Sequence, residues 1–131
     1  MVCEEEGREA IAATLGVKPT RVSTPTWNDQ VYSCQYVYPD GALSLSVKEL
    51  PDEAATTGYF EDLAKELGRR PDDIQLGQGA FATTNGSVVV RKDFMVLDVD
   101  TSGLPKTFGQ PPLSNSDVAL TVAVTLMGCW T

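Results

Sequence analysis

Histidine is missing altogether from this chain of 131 residues. Its absence removes Ser-His and Cys-His nucleophile pairs, histidine general bases, and nearly all zinc and copper sites. Basic residues are scarce as well: 10 Lys+Arg stand against 18 Asp+Glu, for a net charge of −8. Phosphate-backbone binding needs a basic face, yet the longest basic clusters are the pairs Arg69-Arg70 and Arg91-Lys92. Nucleic acid is therefore not an expected partner. No long hydrophobic run occurs either, since the most apolar stretch, Val118 to Met127, is far short of the roughly 20 residues a membrane span requires. The opening Met1-Val2-Cys3-Glu4 runs straight into acid instead of an apolar leader. The expectation is a cytosolic protein or one whose leader segment has been removed.

What remains has the composition of an ordinary globular protein, with 42% hydrophobic and 21% charged residues, and its length suits one domain spanning residues 1–131. Charge is unevenly spread: beyond Asp100 only Lys106 and Asp117 are charged. The C-terminal quarter is thus expected to be the most buried or most interactive part.

Periodicity gives the elements. Glu4 to Leu15 reads as a short helix, acidic at its N-terminus, with Ile11 and Leu15 as apolar anchors and Gly16 as the left-handed cap. Tyr32, Cys34, Tyr36 and Tyr38 alternate with polar or smaller neighbours, Pro39-Asp40-Gly41 forms a turn, and Leu43, Leu45 and Val47 alternate with Ser44, Ser46 and Lys48. This is a hairpin with one wet face. Phe60, Leu63, Ala64 and Leu67 have helical spacing, closed by Gly68 and Pro71. Gly58 places the expected start of that helix near Thr57. A second hairpin is expected from Phe81 to Asp100, turning at Asn85-Gly86 and again at Asp93. For Val118 to Leu126 two readings compete. Strict alternation favours a strand, whereas Ser114-Asn115-Ser116-Asp117 resembles a capping box and Gly128 a helix stop. A buried helix is the preferred expectation. The fold class that follows is α+β, an antiparallel sheet of four to six strands with two or three helices packed on one face.

Three cysteines carry the redox information. One disulfide is expected, leaving one thiol over. A Cys34–Cys129 bridge would close a loop of about 95 residues, worth ~4.5 kcal/mol in the chain-entropy model, and the alternative Cys3–Cys34 bridge ~3.5 kcal/mol. Three reduced, partly buried thiols are the competing reading. No histidine can activate a catalytic thiol.

Other candidates weaken on inspection. Asp98-Val99-Asp100-Thr101-Ser102-Gly103 imitates the first half of a calcium loop, but its twelfth position is Gly109, not glutamate, and Pro105 interrupts it. Asp98 with Asp100, or Asp72 with Asp73, form the visible carboxylate pairs, for which solvated surface is the default. Leu76-Gly77-Gln78-Gly79-Ala80 lacks the Lys-Ser or Lys-Thr of a phosphate loop. No catalytic residue, metal site or cofactor is expected. Two aromatic segments remain as binding candidates: Trp27 with Asn28, and Phe108 with Gln110. The alternative is that Trp27 and Phe108 plug the ends of the core.

The initial cysteine and helix ending in Leu15-Gly16, Cys34-Gln35-Tyr36 on a strand, Leu76 to Phe81, and the closing Cys129-Trp130 resemble uncharacterised actinobacterial secreted proteins and lipoproteins. The resemblance implies an extracytoplasmic α+β domain with a cysteine pair, no assigned activity, and a cysteine near the start as a lipid anchor in the precursor, although Cys3 lacks an upstream lipobox. The functional expectation is a non-enzymatic binding or accessory domain of the cell envelope for a protein, cell-wall or small-molecule ligand. The alternative is a cytosolic acidic inhibitor or immunity-type protein blocking a basic partner.

Overall fold

A computed structural model describes residues 5–68, 74, 76, 78–83, 87–110 and 112–129 of the chain. The element order is α1 (Glu5–Leu15), β1 (Arg21–Val22), β2 (Thr26–Asn28), β3 (Val31–Tyr38), β4 (Gly41–Glu49), α2 (Glu53–Glu66), β5 (Ala80–Ala82), β6 (Val88–Lys92), β7 (Met95–Asp100), β8 (Thr107–Phe108), β9 (Leu113–Ser114) and α3 (Asn115–Cys129). The expected α+β class is correct. Seven strands form one antiparallel sheet in the order β1-β3-β4-β7-β6-β5, with β2 also on β3, and β8 and β9 form a separate two-stranded ribbon.

One face of the sheet carries Cys34, Tyr36, Tyr38, Leu43, Leu45, Val47, Val88, Val90, Leu97 and Val99. They pack with Ile11 and Leu15 of α1 and with Val118, Ala119, Val122, Ala123 and Leu126 of α3. The C-terminal segment is therefore the preferred helix and not the competing strand. Ser114 caps it, accepting from the Asp117 amide at 3.2 Å, and its small residues Ala119 and Ala123 are wholly buried. Strand alternation in the sequence arose because this helix is apolar nearly all round, which masks its 3.6-residue period.

Two expectations need correction. The helices do not share one face: α2 lies on the other, where Phe60 and Ala64 pack with Phe81, Val89 and Val96. Its start is also earlier than Thr57. Asp52 accepts from the Ala55 amide at 2.7 Å, Thr56 donates its hydroxyl to the Asp52 carbonyl at 2.7 Å, and Glu53 lies in the first turn. A good cap offsets the cost of about 1 kcal/mol that an interior glycine carries. The Asn85-Gly86 turn lies outside the described residues; the strands flanking it are antiparallel as expected, but Phe81 stands opposite Val89, whereas a two-residue turn at Asn85-Gly86 would set it opposite Val90.

Gly16 does more than cap α1. It has φ +73, and a side chain there would run into the Gln110 carbonyl. The adjacent Gln110 amide donates to the Leu15 carbonyl at 2.8 Å, which ties the segment after β8 to the end of α1. Glycine is required by both the backbone angle and the close approach.

Candidate functional site

The second face of the sheet changes character across its width. Register places Thr26, Ser33, Ser46, Asp98, Val89 and Phe81 in one row. Under α2 the row is apolar; from Asp98 outward to β2 it is polar. A parallel row pairs Gln35 with Ser44 and Ser44 with Asp100. The result is a polar strip across β3, β4 and β7 that ends in a shallow trough at β7 and β6. Its wall is the side of α2 bearing Leu63 and Leu67, which together with Thr83, Ser87, Val89, Asp98 and Asp100 enclose a hollow of about 290 Å³. Tyr59 continues this apolar stripe one turn back, since residues 59, 63 and 67 are four apart. It meets Lys48 of β4, whose Nζ lies 6.0 Å from the ring centroid. Helical rotation of 100° per residue places the exposed Asp62 and Glu66 just outside the stripe, as an acidic lip.

The two carboxylates on the floor are held differently. Asp100 Oδ1 accepts from the Ser102 amide at 2.9 Å and from the Ser87 hydroxyl at 3.2 Å. These bonds outweigh its partial burial and lower its pKa from the ordinary value of 3.8. Asp98 lies two residues back on the same face. Its Oδ1 is buried and has no hydrogen-bond partner. Burial, assisted by the neighbouring Asp100 charge, pushes its pKa up to about 6. Lys48 Nζ, on the neighbouring strand, donates to the Asp29 carbonyl at 2.8 Å. Polar neighbours on the floor are satisfied among themselves: Thr26 with Ser33 at 2.9 Å, and Gln35 Nε2 with the Ser44 hydroxyl at 3.5 Å.

This overturns the default that Asp98 is solvated surface. Asp100 is engaged within its own turn, and among the described residues no three His, Cys, Asp or Glu side chains converge on a metal position. Asp98 and Asp100 stand side by side on one strand, not on opposed walls of a cleft. Asp72 and Asp73 lie outside the described residues.

The aromatic candidates do not form one surface. Trp27 is 55% exposed, but it sits on β2, an added edge strand, not on a loop. Asp29 and Gln30, with φ 52 and 60, make the tight turn into β3. Trp27 opposes Tyr32 and so lies on the α1–α3 side of the sheet; Asn28 beside it is exposed. Phe108 is only 7% exposed and meets Tyr38 edge-on, with ring centroids 4.7 Å apart. It plugs the core at the far end of β3, about 20 Å from Trp27 at the strand rise per residue. Gln110 is exposed next to it, lining a cleft with Val17, Lys18 and Asp40.

Cys34, buried within the α1–α3 core, is disulfide-bonded. Cys3 and the side chain of Cys129 lie outside the described residues, and with them both candidate pairings. No described helix is long and apolar enough to cross a membrane. Comparison with known proteins places no relative beside this arrangement: no family model, curated protein sequence or solved structure matches the chain.

Proposed function

We propose that this chain is a non-enzymatic binding or accessory domain of the cell envelope, and that it engages its ligand on the uncovered half of the second sheet face. The observation that carries the reading is Asp98 Oδ1, buried at the head of the trough without a hydrogen-bond partner. A buried acceptor left unmatched costs about 1–3 kcal/mol, and more when charged. Folded proteins keep few such groups, and they concentrate at strained, reactive or ligand-bound places; here Tyr38 Oη, Arg91 Nε and Thr101 Oγ1 are the others among the described residues, and of the four only Asp98 lines the hollow. Around it the trough combines a polar floor with an apolar wall, the mixture typical of a recognition surface. Binding is favoured over hydrolysis because acid–base cleavage needs two carboxylates flanking the scissile bond, whereas this pair shares one strand and Asp100 is committed to Ser87 and Ser102.

Placement outside the cytoplasm rests on the disulfide at Cys34, since such bonds persist in oxidising compartments. Cys129 is the proposed partner and Cys3 the alternative. The cytosolic acidic-inhibitor reading draws on the net charge of −8, and it differs in requiring reduced thiols. Alkylation of the unfolded protein with and without prior reduction separates them by mass: two protected cysteines support the envelope, three free ones the cytosol. For the binding face, amide NMR spectra recorded against lysine-rich, aspartate-rich and neutral peptides and a chitotriose probe should show perturbations confined to β3, β4, β7 and α2. Perturbations confined to the cleft at Gln110 or to the β2 edge would overturn the choice of face.

A further inference from the structure

We infer that the occupant of the trough is a basic segment of a partner protein, with a lysine or arginine side chain lying along Leu63 and Leu67 and its cationic head between Asp98 and Asp100. This rests on the proposed binding face and names the chemistry that fits it.

Three features of the surface converge on that occupant. The first is charge. Asp98 and Asp100 stand on the floor, while Asp62 and Glu66 form the lip on α2. Of the cations on this face, Lys48 is drawn to the Asp29 carbonyl and the Tyr59 ring at the far end, and Arg91 pairs with Val96, two residues along β6 from the partner of Asp98. A cationic head would therefore meet the Asp98 and Asp100 carboxylates that line the hollow. A charge-assisted hydrogen bond is about twice as strong as a neutral one.

The second is shape. Leu67 is 42% exposed and Tyr59 39%, and with Leu63 they leave an apolar stripe directly beside the acids. Lysine and arginine carry an apolar stem behind a charged head, and such stems cover apolar surface while the head reaches a polar group. A bare metal ion or a small ammonium would use the acids and leave the stripe open. A neutral apolar segment would use the stripe and leave Asp98 unmatched.

The third is reach. Thr26, Ser33, Ser44 and Ser46 keep the floor low from β7 out to β2. There is thus room for a backbone segment and not only for one side chain. A net charge of −8 would steer a basic segment toward the protein and raise its association rate.

The test uses a short peptide of alternating leucine and lysine, with a control in which norleucine replaces every lysine. Norleucine keeps the stem and removes the charge. The lysine peptide should bind at least tenfold more tightly than the control, with amide shifts centred on Asp98, Asp100 and Leu63. Asp98→Asn should reduce that binding about tenfold, and raising salt from low to physiological strength should weaken it further. The variant is expected to fold, because it removes a desolvated charge, and its amide spectrum checks this directly. Equal binding of both peptides at the trough would overturn the cationic occupant while leaving the face intact. Lysine-selective shifts elsewhere would overturn the face as well. Absence of binding by either peptide at millimolar concentration would overturn the occupant.

Discussion

Two rows of residues, one step apart along the same strands, have opposite fates. Trp27, Tyr32, Val47, Leu97, Val90 and Ala80 oppose one another across the sheet on the side of α1 and α3. There the row is half-buried at Tyr32 and dry from Val47 inward. The neighbouring row, Thr26 through Ser33, Ser46 and Asp98 to Val89 and Phe81, is dry only under α2. Two helices cover the first face, and one covers part of the second. The contrast teaches that cover is shared unequally between the two sides of one sheet, and that on the second side the boundary between dry and open falls at Asp98.

If that division is right, substitutions one residue apart should differ sharply. Leu97 is fully buried on the central strand β7, so Leu97→Ala should cost about 3 kcal/mol in denaturant unfolding, from lost burial plus a cavity. A loss below about 1 kcal/mol would show that the dry face is not tightly packed.

Asp98 should behave in the opposite sense. Its pKa in the fold is about 6 against an ordinary 3.8, so the folded state holds the proton more tightly. The favourable contribution is complete below the unfolded pKa and is lost as pH rises through about 6. Its size is on the order of 2–3 kcal/mol. The groups facing it are Asp100 on its own strand, Lys48 on β4, Tyr59 on α2 and, two register pairs along β6, Arg91. Asp98→Asn should accordingly stabilise the protein by about 2 kcal/mol at neutral pH and flatten the stability profile between pH 4 and 6. Asp100 works the other way: its lowered pKa contributes stability above the unfolded value that disappears as acid is added. A destabilised Asp98→Asn variant at pH 7 would break the contrast between the rows.

Smaller effects sharpen the picture. Asp52→Ala removes the cap that starts α2 and should cost about 1 kcal/mol, measured as a lower denaturation midpoint. Ser46 stands on the trough beside Asp98 in register, and Ser46→Ala should change stability by less than about 0.5 kcal/mol. A large loss there would mean that the trough floor is structural.

Much of the dry side was legible in the sequence. Tyr32 to Tyr38 and Leu43 to Val47 alternate with period two, and alternation alone specifies which residues face the core. Gly58 pointed to a start of α2 near Thr57, but single-residue propensity lost to a well-made helix start at Asp52. The strand that carries Trp27 was not legible, since the turn that follows it, Asp29-Gln30, lacks the Asn-Gly signature although both residues adopt positive φ. The trough itself was not legible. Alternation puts Asp98 opposite Leu97 and Val99, but whether a helix passes over that side depends on where the chain leads α2 after β4. No local pattern encodes that crossing. The same holds for Phe108, whose burial against Tyr38 depends on the ribbon of β8 and β9 folding back to the end of α1.

The most direct test of the account is to follow the Asp98 side-chain carboxyl carbon by NMR as pH is varied, in the free protein and with the lysine peptide bound. The account predicts a midpoint near 6 in the free protein and a lower midpoint in the complex, because a bound cation favours the charged form. A midpoint in the ordinary carboxylate range for the free protein, unmoved by the peptide, would contradict it.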